Sequence, residues 1–197
     1  MRISFPLLIV LALVSAVGCK KYDTLVEKNA VCDEKWANID AELQRRYDLI
    51  PNLVATVKAS AHHEEETLTK IAEARASASQ IKLSGDDFSD PAKMAAFQKA
   101  QSELGGALSR LLVTQEAYPD LKANAQFHDL AVSLEATENR LLRARQEYNA
   151  AVKDYNAELA KVSGKVLNKA TGKPFKPRVY WTASDEAKTS GAPKVEL

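Results

Sequence analysis

The clearest candidates for chemistry form a short polar run at residues 62–66, His-His-Glu-Glu-Glu. Histidine nitrogens and carboxylate oxygens are zinc ligands, and His62 and Glu66 are four positions apart, which places them on one helix face. Two ligands do not complete a site. The alternative is a solvated face on which Glu66 pairs with Lys70 one turn later. We therefore expect no metal and no other cofactor. The weak metal candidates are His62, His63 and Glu66.

No pairing of a nucleophile with a base is visible in the sequence, since Cys32 has no neighbouring histidine. No serine stands in a glycine-flanked turn, and no glycine-rich phosphate loop follows a strand pattern. We therefore expect a protein that is not an enzyme. Cys32 precedes Trp36 by one helical turn, which favours a buried structural thiol, and an intermolecular disulfide is the alternative.

The N-terminal segment has the features of an export signal. Arg2 precedes an apolar run over residues 3–17, which is shorter than the about 20 residues that span a bilayer. Residues 16–19, Ala-Val-Gly-Cys, resemble the lipobox of bacterial lipoproteins, which predicts a signal peptide over 1–18 and lipid attachment at Cys19. A retained membrane helix is the alternative. Because Lys20 stands where many Gram-negative lipoproteins carry an inner-membrane retention aspartate, outer-membrane sorting is open.

The charge balance argues against a nucleic-acid partner. The chain has 27 lysines and arginines against 26 acidic residues, so it lacks the basic excess that neutralises phosphates. The predicted partners are a membrane, reached through the lipid anchor, and another envelope protein.

Apolar residues recur every three or four positions over most of the chain, which predicts amphipathic helices. The first is expected over residues 22–82, on the order of 90 Å long, bent near Pro51 and able to supply two bundle members if the bend is sharp. The second is expected over 91–117 and the third over 119–162. The predicted fold is all-α, an antiparallel up-and-down bundle of long helices.

The predicted domains follow from these elements. A lipidated N-terminus and the start of the first helix occupy residues 19–35, and the bundle occupies residues 36–163. Residues 164–197 are rich in proline and glycine and are expected to form an irregular or partly disordered tail. Within it, Phe175 or the Tyr180-Trp181 pair is expected to dock on the bundle.

Several blocks of sequence together resemble the LemA family. The blocks are residues 43–54 (Leu-Gln-Arg-Arg-Tyr-Asp-Leu-Ile-Pro-Asn-Leu-Val), 116–124, 135–140 and 144–149, with a second Tyr-Asn at 155–156. The resemblance implies a membrane-attached, extracytoplasmic helical bundle of bacterial origin with a poorly defined molecular role. The chain departs from the family pattern in two places. A lipobox-like cysteine replaces the usual transmembrane helix, and the Phe-Pro that follows the last Tyr-Asn is missing.

The polar residues of these blocks suit a charged hydrogen-bond network between helices, because arginine pairs with carboxylates through parallel bonds. Two roles are open: the network fixes helix register, or it forms a surface on which a partner docks. The four polar residues of the first block are predicted to face outward. Tyr148 and Tyr155, seven residues apart, are predicted to pack in the core. The polar set is Arg45, Arg46, Asp48, Asn52, Glu116, Asp120, Glu138, Asn139 and Arg140.

These expectations combine into one functional hypothesis and one rival. The first is an extracytoplasmic, lipid-anchored bundle that acts as an adaptor, scaffold or regulator of an envelope component. The rival is a small-ligand or metal-binding envelope sensor that uses the bundle interior or the cluster at residues 62–66.

Overall fold

The computed structural model describes residues 5–60, 65–114, 118–161 and 175–182, with side chains from residue 20 onward except at positions 60, 114, 120 and 122. These residues form four long helices, one single-turn helix and a 3₁₀ turn at Gly85–Ser89, and no strand. The all-α prediction is confirmed. The helices are α1 (Phe5–Ser60), α2 (Glu65–Gln80), α3 (Pro91–Thr114), the single-turn α4 (Pro119–Lys122) and α5 (Ala125–Ala160).

The first and last long helices run in opposite directions, as expected for the predicted up-and-down bundle. The most extensive pairing joins α1 to α5. Along it, Lys21 pairs with Glu158 at 3.0 Å and Lys35 pairs with Glu147 at 3.3 Å, so partners on α5 move backward as α1 advances. The α2 and α3 helices pack on each other, and both contact the second half of α1 through side-chain hydrogen bonds.

The first helix ends earlier than the sequence suggests. α1 continues through Pro51 to Ser60, and α2 begins separately at Glu65, so the two bundle members are not arms of one helix that turns at Pro51. Proline at position 51 removes the N–H that would bond the carbonyl of Tyr47. The structure supplies a substitute, because Arg75 Nε on α2 donates to the Tyr47 carbonyl at 2.8 Å. The helix therefore passes Pro51 with this carbonyl satisfied by its neighbour.

Local capping fixes where the later helices begin. Asp90 Oδ1 accepts hydrogen bonds from the Ala92 and Lys93 backbone N–H groups at 2.9 and 3.3 Å, and Pro91 occupies the first helical position of α3. Asn124 caps α5 by accepting from the Phe127 N–H at 3.2 Å. These caps fix the first residues of α3 and α5.

An aromatic cluster forms the centre of the core. The Trp36 ring on α1 lies 4.9 Å from Phe88, 5.2 Å from Tyr148 and 5.4 Å from Phe97, all between ring centroids. One aromatic side chain thus packs the 3₁₀ turn, α5 and α3 against α1. Fully buried aliphatic side chains extend this core along α1.

The predicted membrane attachment concerns the N-terminal part of α1. In the described ranges, no helix carries an apolar stretch of the length needed to cross a bilayer. The backbone of α1 includes position 19, but the Cys19 side chain lies outside the described residues.

Candidate functional site

The candidate metal residues do not form a described site. His62 and His63 lie outside the described residues, and Glu66 is exposed and bonds Lys70 Nζ at 2.5 Å, the pairing that the sequence offered as the alternative. His128 is exposed on α5. Among the residues that the structure describes, no group of three or more metal-ligand side chains is gathered to hold an ion.

Cys32 is fully buried in α1, which fits the structural thiol rather than the intermolecular disulfide. Burial also raises the pKa of the thiol above its usual value, since desolvation disfavours the thiolate. The folded protein therefore presents neither an accessible nor an activated sulfur at this position.

Arg46 belongs to a buried network that links all four long helices. The side chain is 2% exposed, so the prediction that it faces outward is wrong. Its Nη1 donates to Glu138 Oε1 on α5 at 2.9 Å, and its Nη2 donates to Gln101 Oε1 on α3. Gln101 Nε2 in turn donates to Tyr47 Oη at 2.6 Å and to the Ala78 carbonyl of α2 at 3.2 Å. This arrangement supports the register-fixing role for Arg46.

The other predicted polar residues are dispersed. Arg140 Nε on α5 donates to both carboxylate oxygens of Glu42 on α1, at 2.9 and 3.0 Å, which forms a second link beside the buried network. Asp48 is exposed and accepts from Gln44 within α1 at 2.8 Å. The exposed members are Arg45, Asp48, Asn52 and Asn139. Glu116 and the Asp120 side chain lie outside the described residues.

A more organised site lies along α5, where residues 175–182 form an extended segment that we call the strap. Asn149 binds the backbone of Trp181 on both sides: Nδ2 donates to its carbonyl at 2.7 Å, and Oδ1 accepts from its N–H at 2.9 Å. Asn156 binds the backbone of Arg178 in the same way, at 2.8 and 2.9 Å. The docking predicted for the tail therefore occurs, and it includes specific main-chain recognition.

The preceding tyrosines add the same kind of contact. Tyr148 Oη donates to the Val179 carbonyl at 3.3 Å, and Tyr155 Oη donates to the Lys176 carbonyl at 3.0 Å. Both rings are buried, as predicted, and burial raises the pKa of each phenol to about 12. The hydroxyls therefore stay protonated and remain donors over the physiological pH range.

The two Tyr-Asn pairs match the strap because their spacings agree in length. Seven residues of α-helix rise about 10.5 Å, and three residues of extended chain span about 10 Å. The pairs at residues 148–149 and 155–156 are seven apart, and the strap groups that they bind are three apart. The repeat on α5 is thus a ladder for extended polypeptide.

The side chain of Arg178 occupies a seat between α1 and the 3₁₀ turn. Its Nε donates to Asn29 Oδ1 at 3.0 Å, and its Nη2 donates to Asp33 Oδ1 at 2.5 Å. Its guanidinium lies 5.0 Å from the centroid of the Phe88 ring. A charge-assisted bond and a ring face together select an arginine at this position.

Trp181 fills a second seat on the aromatic cluster. Its ring centroid lies 5.2 Å from Phe97 and 5.9 Å from Trp36, and the side chain is buried. The Arg145 guanidinium covers the indole at 5.4 Å from its centroid. Burial lowers the pKa of Arg145, and the ring face partly compensates for the lost solvation.

A cleft of about 850 Å³ lies beside the strap. It runs between α1, the 3₁₀ turn and the first part of the strap, and its walls are mixed in character. Acidic, basic and aromatic side chains line it, among them Asp33, Asp40, Lys82, Phe88, Phe175 and Arg178.

Sequence reasoning missed several functional contacts. The Tyr-Asn repeat was visible as a family motif, and its seven-residue period was the available signal, but its partner was not. Gln101 and Arg178 carried no local signal, since each is isolated in sequence from the groups that it binds. Only the folded chain brings these residues together.

The fold and this site define a class of protein: an up-and-down helical bundle whose last helix holds an extended C-terminal segment by its main chain. The chain belongs to the LemA family, whose model matches residues 35–197. It is 26% identical over 177 aligned residues to the magnetosome proteins MamQ 1 and MamQ 2 of Paramagnetospirillum magneticum, covering 82% of this chain and 64% of each relative. The magnetosome protein MamQ of Magnetospirillum gryphiswaldense is 24% identical over 172 residues, covering 77% of this chain and 62% of the relative. The chain thus spans just under two thirds of these relatives.

Proposed function

We propose that this protein is a lipid-anchored, extracytoplasmic adaptor or scaffold that binds another polypeptide of the bacterial envelope. The observation that carries the proposal is the ladder on α5. Asn149 and Asn156 each satisfy both main-chain groups of one residue in an extended segment, which is a geometry suited to holding polypeptide. This geometry supports a binding role.

The anchor is the second part of the proposal. It is supported by the signal-like residues 1–18 and the lipobox-like sequence that ends at Cys19. Acylation at about 0.8 kcal/mol per buried methylene would make attachment by several chains stable. Membership in the LemA family supports an extracytoplasmic location, and the magnetosome names of the relatives support work within a larger assembly.

In-cell photo-crosslinking tests the adaptor role. Probe positions must be exposed, which excludes the buried Arg46 and favours Leu142 on α5 and Tyr180 on the strap. We expect a probe at one of these positions to capture one defined envelope protein, and Val113 on α3 provides an exposed control on another helix. Capture should be lost in Cys19→Ser cells, in which the protein would leave the membrane fraction. Self-crosslinks alone, or none from any face, would contradict the adaptor function.

A small-ligand sensor is the second candidate, and the cleft beside the strap favours it. The cleft is about 850 Å³, which is sufficient for a small organic molecule. A thermal-shift screen of the purified protein tests this candidate. A ligand that raises the melting temperature of the wild-type protein but not of Asp40→Ala would support the sensor function. A ligand that stabilises both proteins equally would place the binding site outside the cleft.

A further inference from the structure

The groove that holds the strap bonds mainly to main-chain groups, which every polypeptide carries. We propose that the groove binds an extended segment of a partner envelope protein that carries an arginine and, three residues later, a tryptophan. The strap is then the intramolecular ligand that fills the groove until such a segment replaces it. This inference rests on the proposed adaptor function and specifies the chemistry of its partner.

The first support is the number of main-chain bonds. Eight backbone groups of the strap, between Lys176 and Trp181, are bonded to α3, to α5 or to the 3₁₀ turn. Six of them are bonded by the Tyr-Asn pairs of α5. Backbone groups are the same in every polypeptide, so any segment that is extended over these positions can make the same bonds, provided that the three bonded N–H groups do not belong to proline.

The second support is the selectivity of the two side-chain seats. Asn29 and Asp33 accept bonds from two of the three guanidinium nitrogens of Arg178 over the face of Phe88, so the first seat favours arginine by its charge and planarity. The Trp36–Phe97 rings and the Arg145 guanidinium enclose the second seat, which suits a large electron-rich ring. Of the two side chains between them, Val179 packs on the core and is partly buried, whereas Tyr180 is 38% exposed and is less constrained. The groove therefore reads Arg-x-x-Trp.

The third support concerns access. The cleft borders Phe175, Lys176 and Arg178, so the arginine seat opens onto free space on one side. An incoming segment can enter the arginine seat there as the strap leaves. The strap competes at the high effective concentration of a tethered segment, on the order of millimolar, so a partner binds measurably only when the strap is weakened or the partner is itself held nearby. A shared membrane anchor provides the latter condition.

A peptide-binding experiment on the full chain tests the inference. The receptor is the variant Arg178→Ala with Trp181→Ala, in which the strap keeps its backbone but loses both side-chain anchors. The probe is a fluorescent octapeptide with the sequence of residues 175–182, followed by anisotropy. We expect saturable binding, at least about tenfold tighter than to the wild-type chain, in which the strap competes. A peptide with alanine at the arginine and tryptophan positions should bind at least tenfold more weakly than the unmodified peptide.

Matched receptor variants identify the groove. Adding Asn149→Ala and Asn156→Ala should abolish binding, whereas adding Gln126→Ala, an exposed carboxamide on the same helix, should leave it unchanged. Circular dichroism checks the fold of each variant. If the double anchor variant does not fold, Arg178→Ala alone is the receptor, because it leaves the aromatic cluster filled.

The outcomes separate the alternatives. No saturable binding at millimolar peptide, or binding indifferent to the Asn149 and Asn156 changes, would overturn the inference. If light scattering shows that the wild-type protein is a dimer and that the Asn149 and Asn156 changes make it monomeric, the groove binds the strap of a second copy and the partner assignment is overturned. A monomeric wild-type protein supports the partner assignment. If crosslinking in cells still captures an envelope protein while the peptide fails, only the groove assignment is lost and the adaptor function stands.

Discussion

The contact between Arg75 and the Tyr47 carbonyl provides a thermodynamic test of how α1 passes Pro51. Arg75→Ala removes the donor that replaces the missing proline N–H. Hydrogen bonds to charged groups contribute about 1.5–3 kcal/mol, and Arg75 is half-buried, so water can replace part of this bond. We expect Arg75→Ala to lower the free energy of unfolding by about 1–2 kcal/mol, at the lower end of the range for such bonds.

Pro51→Ala changes this cost in a defined way. Alanine restores an N–H that can bond the Tyr47 carbonyl within α1, and Pro51 is exposed, so little packing is lost. In this background Arg75→Ala should cost no more than about 0.5 kcal/mol, as for an ordinary surface substitution. The double-mutant cycle should therefore show a coupling of about 1 kcal/mol between positions 51 and 75.

Urea denaturation followed by far-ultraviolet circular dichroism measures all four corners of this cycle. Arg45→Ala is the matched control, because Arg45 is an exposed arginine on α1, and its cost should be near zero in both backgrounds. Equal costs of Arg75→Ala with and without Pro51 would refute the explanation, since the carbonyl would then not depend on Arg75 for a partner.

Three further predictions concern single groups. Arg46→Ala should lower the free energy of unfolding by about 2–4 kcal/mol in the same assay, since it leaves the buried side-chain Oε1 of Gln101 without its donor. A cost as small as that of Arg45→Ala would contradict the buried network. Hydrogen bonds from Lys161 and a second lysine lower the pKa of Glu158 to about 2, so its stabilisation is complete above the unfolded carboxyl pKa of about 4.3 and is lost as pH falls toward 2. Glu158→Gln should reduce stability at neutral pH and flatten the pH dependence between these values; an unaltered acid limb in pH-dependent melting would count against this. Cys32 should resist a disulfide reagent in the native state and react on unfolding, and rapid labelling of the native protein would show that the position is accessible.

The helix type and several boundaries follow from local signals, but the solvent-facing side of α1 does not. Asp90 and Pro91 begin α3 as predicted, because capping and proline preference act within one turn. Arg46 was expected on the surface because the apolar stripe of α1 was assigned a single face. α1 packs against α2, α3 and α5 over this region, so its buried arc is wide enough to include Leu53 and Arg46. The number of neighbours around a helix is a tertiary property.

The Tyr-Asn repeat shows why the site was harder to predict than the fold. Seven-residue spacing places Tyr148 and Tyr155 on one helix face, and burial of the rings follows from that periodicity alone. The functions of the hydroxyls and of Asn149 depend on what lies opposite, and that element is some 30 residues away in the chain. A repeat of a large ring next to an amide supplies apolar area together with side-chain donors and acceptors for main-chain groups, and an extended segment presents such groups to this repeat every third residue. Once the seven-residue rise is compared with the strand repeat, the pattern therefore indicates that the opposing element is an extended polypeptide segment.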